Sequence, residues 1–145
     1  MKQILHILLI ALMLMGFYSC VPKTELASPD GHIKVAFTAD TDGKMMYRVT
    51  VNDTLLLDNS PLGLEAKEGI DLNRGFRVVN TVFTDKDEIW TQPWGENKTN
   101  RNHYNEMAVL LKNAANVELT LRFRAFDDGV AFRYEYEVPL SLIHI

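Results

Sequence analysis

Apolar and polar residues alternate through most of the chain after residue 27, and this period of two predicts β-strands with one buried face. The clearest case runs from Val117 to Ala125, where every second residue is apolar and the residues between are Glu, Thr or Arg. Asp127-Asp128-Gly129 is a strong hairpin signal. The alternation then returns along residues 130–138, so the two strands are predicted to share one apolar face and one charged face.

Strand-like patterns occur in further segments, at residues 33–38, 46–51, 55–58, 62–67, 76–83 and 101–110. In residues 76–83 apolar side chains fall on both faces of the predicted strand, which predicts a strand buried between two layers. Residues 85–88 are charged and are interpreted as a turn. No segment of helical period follows residue 27, so the predicted fold class is all-β, an antiparallel sandwich of about nine short strands.

Two turn signals lie early in this region. Ser28-Pro29-Asp30-Gly31 combines a proline that fixes φ with a glycine that tolerates positive φ. Asp40-Thr41-Asp42-Gly43 is predicted to join the strands at 33–38 and 46–51 as a hairpin loop. Its acidic spacing resembles the start of a calcium loop, but the third ligand position and the terminal glutamate of that motif are missing. An ordinary turn is therefore preferred.

Residues 90–106, WTQPWGENKTNRNHYNE, have an aromatic and polar density found nowhere else in the chain. Indole faces suit the apolar faces of sugar rings, and Arg, Asn and Glu side chains suit hydroxyl groups. The pattern indicates a recognition loop on a β-scaffold. The candidate substrate-binding residues are Trp94, Glu96, Arg101, Asn102, His103 and Glu106.

The two tryptophans of this loop are given different roles. Trp94 lies between Pro93 and Gly95, where strand pairing is expected to break, so its side chain is predicted to be presented to solvent. Trp90 follows Ile89 at the end of a strand and is predicted to belong to the core.

Other chemistry in the loop is interpreted conservatively. Glu96 and Glu106 could be an acid/base pair, but their spacing in sequence fixes no distance, and no catalytic residue is assigned. His103 has no second histidine or cysteine at metal-ligand spacing, so no metal ligand is assigned either. Asp127 and Asp128 are interpreted as turn formers.

Length and charge restrict the possible classes of protein. The chain has 145 residues, enough for one domain with a real core, and a net charge of −4 without a basic cluster, which excludes nucleic acid as a partner.

Residues 1–19 contain an apolar run shorter than a membrane span and are predicted to be an export signal. Cys20, the only cysteine, is predicted to be lipidated, and residues 20–27 to tether a cell-envelope lipoprotein.

Two uncommon strings, PWGENKTNRNHYNEMAV and FRAFDDGVAFRYEY, together with SPDGHIKVAF and PLGLE, resemble the N-terminal domain of glycoside hydrolase family 97. That family comprises bacterial α-glucosidases and α-galactosidases. The resemblance implies an incomplete β-super-sandwich of the galactose-mutarotase-like type, with the catalytic carboxylates in a barrel domain that the chain does not include. It also implies a calcium-dependent enzyme, but no calcium ligand is carried over to this chain.

The sequence thus predicts that residues 28–139 are part of the N-terminal domain of an exported α-glycosidase. Its partners would be an oligosaccharide substrate, its own barrel domain and the membrane. Residues 140–145, LSLIHI, match the translation of a sequencing-adapter end and are predicted to be an artefact. The alternative function is a non-catalytic carbohydrate-binding or protein-interaction lipoprotein.

Overall fold

The computed structural model describes residues 23–65 and 71–136. All regular structure in these ranges is β-strand, as predicted. In order the strands are β1 (Glu25–Ala27), β2 (Ile33–Ala39), β3 (Met45–Val51), β4 (Thr54–Pro61), β5 (Arg77–Thr91), β6 (Thr99–Lys112), β7 (Glu118–Phe126) and β8 (Gly129–Glu135). Within the same ranges, no helix has the length and apolarity needed to cross a bilayer.

The strands form two antiparallel four-stranded sheets, each in sequential order. The first sheet contains β1 to β4 and the second contains β5 to β8, so every neighbour is joined by a local connection. Asn52 and Asp53 turn the chain between β3 and β4 with φ of 50° and 60°, the positive values that a two-residue hairpin turn needs. The predicted all-β antiparallel sandwich is confirmed.

The core lies between the sheets, where β1 and β2 pack on β6, β7 and β8. The predicted apolar face of β7 faces this core, and Leu121 pairs with Tyr134 of β8 in the predicted hairpin. The largest fully buried side chains come from both sheets: Val35, Phe37, Met45, Met107, Val109, Leu111, Leu119, Leu121 and Phe123. Each such side chain stabilises the fold by about 1.5–3 kcal/mol relative to an exposed one.

The prediction that residues 76–83 are buried between layers is confirmed only at the start of the segment, where Phe76 is buried and Val78 packs against the core. It is wrong for Val79, Val82 and Phe83, which are between 43% and 51% exposed. The physical reason is topological: β5 is an edge strand of the second sheet, and the first sheet packs over β6, β7 and β8 instead. The apolar pattern was correctly assigned to a strand but not to its place in the sheet.

The predicted charged turn at 85–88 is also wrong, because these residues continue β5. Their charges are accommodated in the ladder rather than in a turn: Lys86 pairs with Glu88 at 2.8 Å, and Asp87 pairs with Arg101 of β6. A run of charges is compatible with a strand when each charge has a partner beside it or across the ladder.

Two boundaries differ from prediction near the first sheet. The predicted tether extends to Ala27, whereas Glu25–Ala27 pair with β2 as β1 and bury Leu26. The strand predicted at 62–67 is not continued after Pro61: Leu62 is buried, its N–H donates to the Met45 carbonyl, and residues 66 and 67 lie outside the described ranges. β1 was not predicted because its three residues are too few to show an alternation of apolar and polar positions. The predicted signal, Cys20 and residues 137–145 also lie outside the described ranges.

The Asp40 loop is an ordinary turn, as predicted. Asp40 Oδ1 accepts hydrogen bonds from the backbone N–H groups of Asp42 at 2.9 Å and Lys44 at 2.8 Å. The same loop is fixed to the segment before β5, because Gly75 N donates to the Asp42 carbonyl at 2.9 Å. This carboxylate therefore organises the hairpin loop between β2 and β3.

Candidate functional site

β5 and β6 continue beyond the sandwich as a two-stranded arm, which we define as residues 86–104. The two strands stay paired as far as Thr91 and Thr99. β7 pairs with β6 only from Asn105 to Lys112, so the upper part of β6 has β5 as its strand partner. The candidate segment predicted from the sequence is thus the tip and one strand of this arm.

The tip of the arm is the loop of residues 92–98. Pro93 cannot donate to a ladder, and Gly95 adopts φ of 119°, so pairing breaks where the sequence predicts it. The loop is closed from within: Gln92 N donates to the Lys98 carbonyl at 3.1 Å, and its side chain donates to the Asn97 carbonyl at 3.3 Å. Trp94 is 85% exposed at this tip, which confirms its predicted presentation. Its role in substrate binding stays a prediction.

The side chains along the arm are held by cross-strand pairs. Arg101 makes two hydrogen bonds to Asp87, from Nε at 2.8 Å and from Nη2 at 2.7 Å. The hydrogen bond from Arg101 holds the pKa of Asp87 below its ordinary value. On the other face, Asn102 donates to Glu88 at 2.8 Å. The candidate residues Arg101 and Asn102 are therefore ordered, but each is already engaged within the arm.

His103 lies at the base of the arm, beside the turn between β7 and β8. Its Nδ1 is 3.8 Å from Asp127 Oδ2, too long for a hydrogen bond. Asp127 Oδ1 accepts a hydrogen bond from the backbone N–H of Asp30 at 3.0 Å. Asp127 and Asp128 form the turn between β7 and β8, as predicted, and the hydrogen bond to Asp127 joins this turn to the β1–β2 turn.

Glu106 is a buried carboxylate, only 7% exposed, on the outer face of the second sheet. It accepts hydrogen bonds from Arg122 Nη1 at 2.6 Å and from Arg124 Nε at 2.7 Å. Burial alone would raise the pKa of Glu106, but the hydrogen bonds from Arg124 and Arg122 outweigh it and the pKa is lowered. A sugar hydroxyl at Glu106 would have to displace one of these guanidinium groups.

The ion pairs of Glu106 with Arg122 and Arg124 are part of a larger network on β7 and β8. Arg122 also makes two hydrogen bonds to Glu135, at 2.7 and 2.9 Å, and Arg133 donates to the same carboxylate at 2.9 Å. The hydrogen bond from Arg122, with that from Arg133, lowers the pKa of Glu135 to about 2. Arg124 lies over the ring of Tyr104, 4.4 Å from its centroid. The outer face of β6, β7 and β8 therefore carries a connected network of ion pairs.

The six candidate residues do not converge on one site. Trp94 and Glu96 lie at the tip, Arg101 and His103 on one face of β6, and Asn102 and Glu106 on the other, as the period of two requires. Glu96 precedes Thr99, which is about 23 Å along the strand from Glu106 at roughly 3.3 Å per residue. Catalytic carboxylate pairs of glycosidases are separated by about 5–9.5 Å, so Glu96 and Glu106 are not such a pair.

The described residues do not fit a calcium ion. In residues 23–65 and 71–136, no group of three or more His, Cys, Asp or Glu side chains is placed to hold a metal. The buried carboxylate of Glu106 faces two guanidinium groups, which excludes a cation there.

Two features of this region were missed in the sequence. Trp90 was predicted to be core but is 49% exposed, because it lies on the outer face of the arm, which is turned away from the first sheet. Arg122, Arg124 and Glu135 were recognised only as the charged face of a hairpin. Glu106 and Arg124 are direct partners in the β6–β7 ladder, whereas in the β7–β8 hairpin Arg122 lies directly opposite Arg133 and reaches Glu135 diagonally. The charged residues on one face of the hairpin were the available signal for the network, but not for its pairing.

Comparison with known proteins identifies similar domains. A family model described as Glycosyl-hydrolase 97 N-terminal matches residues 26–145. A glycoside hydrolase family 97 enzyme from Pseudoalteromonas sp. strain K8, solved in complexes with panose and with acarbose, is 30% identical, with a TM-score of 0.75. A β-arabinopyranosidase structure is 25% identical, with a TM-score of 0.73. In each case the match covers 81% of this chain but only 18% of the solved chain.

Proposed function

The chain belongs to glycoside hydrolase family 97, and from that premise we propose that it is the N-terminal β-sandwich part of an exported α-glycosidase. The complete enzyme would hydrolyse α-linked gluco- or galacto-oligosaccharides. The observation that carries this proposal is the family match over residues 26–145 together with the shared fold. Because the chain spans about a fifth of its solved relatives, hydrolysis belongs to the complete protein in this proposal.

The work of this domain is to support the catalytic domain and its substrate site. The arm favours such a role, since it extends a paired two-stranded ladder beyond the sandwich and carries Trp94 at its tip. An indole that is exposed and mounted on a closed loop is suited to contact a neutral sugar ring. The complexes of the Pseudoalteromonas relative with panose and acarbose favour an oligosaccharide as the ligand.

Hydrolysis by the complete protein tests the proposal. Purified protein would be incubated with chromogenic α-glucoside, α-galactoside and β-arabinopyranoside, the last because one structural relative is a β-arabinopyranosidase. We expect release from an α-glucoside or an α-galactoside. Release from the β-arabinopyranoside alone would contradict the proposed substrate class, and release from none would contradict the enzyme proposal.

The second candidate is a carbohydrate-binding or protein-interaction lipoprotein without catalysis. The exposed Trp94 favours it as well, because a presented indole serves binding with or without a catalytic partner. Substitution of Trp94 by Ala separates the two kinds of binding: loss of affinity for panose indicates sugar recognition, and loss of a protein partner with panose affinity retained indicates docking.

Export and anchoring are proposed from residues 1–20. Cys20 follows the predicted signal and is the only cysteine of the chain, so a lipid attached there would have no competing thiol site. We expect a Cys20→Ala variant to move from the membrane fraction to the soluble fraction of the cell envelope. Retention of that variant in membranes would contradict lipid anchoring at Cys20.

A further inference from the structure

Trp90 lies on the outer face of the arm, the face shared with Glu106 lower in the same sheet. The register from Asn80 to Thr91 is unbroken, so even-numbered residues of β5 pair with even-numbered residues of β6. Trp90 therefore pairs with Asn100, and Glu88 pairs with Asn102, the next step down the same face. An exposed indole and a row of amide and carboxylate groups thus share one side of a continuously paired ladder.

The charges on this face are already neutralised. Lys86 binds Glu88 at 2.8 Å, and Asn102 donates to the same carboxylate atom. The two opposite charges cancel, which leaves the face without an attraction for a strongly ionic ligand. The amide groups are half-buried and held in place, with Asn100 donating to the Asn97 carbonyl at 3.4 Å.

From this arrangement we propose that the outer face of the arm, formed by Trp90, Asn100 and Asn102, is a second contact surface for a neutral oligosaccharide. The indole takes the apolar face of a sugar ring, and the amide oxygens and remaining N–H groups bind its hydroxyls. This surface is distinct from Trp94, which lies at the tip beyond the ladder. The inference rests on the proposed function, because it supplies an outer subsite to the same enzyme.

Neutrality of the face argues for a saccharide rather than a nucleic acid or an ionic protein surface. The chain as a whole carries a net charge of −4, which disfavours polyanions. Among the residues that line the face, Trp90 supplies the large apolar area and Asn100 and Asn102 supply donors and acceptors. An aromatic plane beside fixed amides is the usual composition of a site for a neutral polar ligand.

The chain offers a matched control on the opposite face of the same strand. Ile89 is adjacent to Trp90 and is 67% exposed, but it pairs with Arg101 and so faces the other side of the arm. Ile89→Ala removes exposed apolar surface from the arm without touching the proposed subsite. Trp90→Phe keeps an aromatic plane and serves as the conservative variant.

The test compares two substrates of the complete protein, panose and a chromogenic monosaccharide glycoside. We expect Trp90→Ala to lower the ratio of kcat/KM for panose over the short substrate about five- to tenfold, the loss of one aromatic contact. Trp90→Phe should recover part of the ratio, and Ile89→Ala should leave it unchanged. An unchanged ratio in Trp90→Ala, or an equal fall in Ile89→Ala, would overturn the inference.

Calorimetric titration with panose and thermal unfolding of the same variants separate this inference from its premise. If the complete protein hydrolyses neither substrate, the proposed enzyme fails, but weaker panose binding by Trp90→Ala alone still supports the subsite. If Trp90→Ala lowers Tm by several degrees with panose affinity unchanged, another part of the protein covers this face. That result would overturn the subsite while leaving the proposed function in place.

Discussion

Arg124 donates from Nε to Glu106 Oε2 at 2.7 Å, directly across the β6–β7 ladder. Glu106 is the only buried charged residue among residues 23–65 and 71–136. Arg122 occupies its other oxygen from the neighbouring position on the same strand. The carboxylate therefore joins two arginines and shields them from the repulsion that their shared face would otherwise produce.

Replacement of Glu106 by Gln should destabilise the domain. The substitution removes the charge that both guanidinium groups face, and breaking a buried ion pair costs about 3–5 kcal/mol, with less expected here because the arginines are partly exposed. We expect a loss of about 1.5–3 kcal/mol in the free energy of unfolding, measured by urea denaturation. Glu96→Gln, an exposed change at the tip, is the control; equal losses in the two variants would refute the role of Glu106.

Glu135 predicts how stability depends on pH. Its folded pKa is about 2, below the ordinary value of 4.5, because Arg122 and Arg133 stabilise the ionised form. A depressed folded pKa means that the contribution to stability is present above about pH 4.5 and is lost as the pH falls toward 2. Glu135→Gln should therefore flatten the fall of Tm with pH in this window. Parallel curves for the variant and the parent would show that the Arg122 contact carries no such linkage.

Two glycines with similar backbone conformations should respond differently to alanine. Gly31 and Gly43 have φ of 79° and 70°. A Cβ at Gly31 meets nothing within 4 Å, whereas at Gly43 it would overlap the backbone nitrogen of Phe76 and lie 2.6 Å from Gly75 C. Gly31→Ala should cost about 1–2 kcal/mol from the backbone alone. Gly43→Ala should cost clearly more, and equal Tm shifts would mean that the Gly75 segment moves freely away.

Phe123 tests the packing between the sheets. Phe123 is fully buried, and its ring centroid lies 6.1 Å from the ring centroid of Phe37 in the opposite sheet. Phe123→Ala should cost about 3–5 kcal/mol of unfolding free energy, from lost burial and the cavity left behind. Leu56→Ala, at a position 72% exposed, should change stability by less than about 0.5 kcal/mol. A small effect at Phe123 would contradict the two-sheet core.

Strands with one buried and one solvent-exposed face could be predicted from the sequence, because their apolar and polar residues alternate. Residues 33–38 and 117–125 were correctly placed because their burial follows from period two alone. Residues 101–110 were correctly assigned to a strand, but Tyr104 and Glu106 are buried on the face opposite Met107 and Val109. The position of β5 could not be predicted, since its apolar residues on both faces are typical of an inner strand and the sheet order is set by tertiary packing. β1 was missed because it has three residues and is recognised only by its pairing with β2.

The site was predictable as a segment but not as an arrangement. Pro93 and Gly95 located the tip and the presentation of Trp94, because both act through the local backbone. The partners of Arg101, His103 and Glu106 depend on which residue lies opposite in the ladder, and one shift of register would exchange their faces. For that reason the Glu106 network and the exposure of Trp90 emerged only from the structure.

The measurement that tests the central claim most directly is a continuous read of the source DNA across the codons for Val138 to Ile145. The account predicts that the native frame continues past the codon for Pro139 into a barrel domain, which requires about 250 codons or more. A native stop codon soon after Pro139 would contradict the claim that this domain is the N-terminal part of a glycosidase.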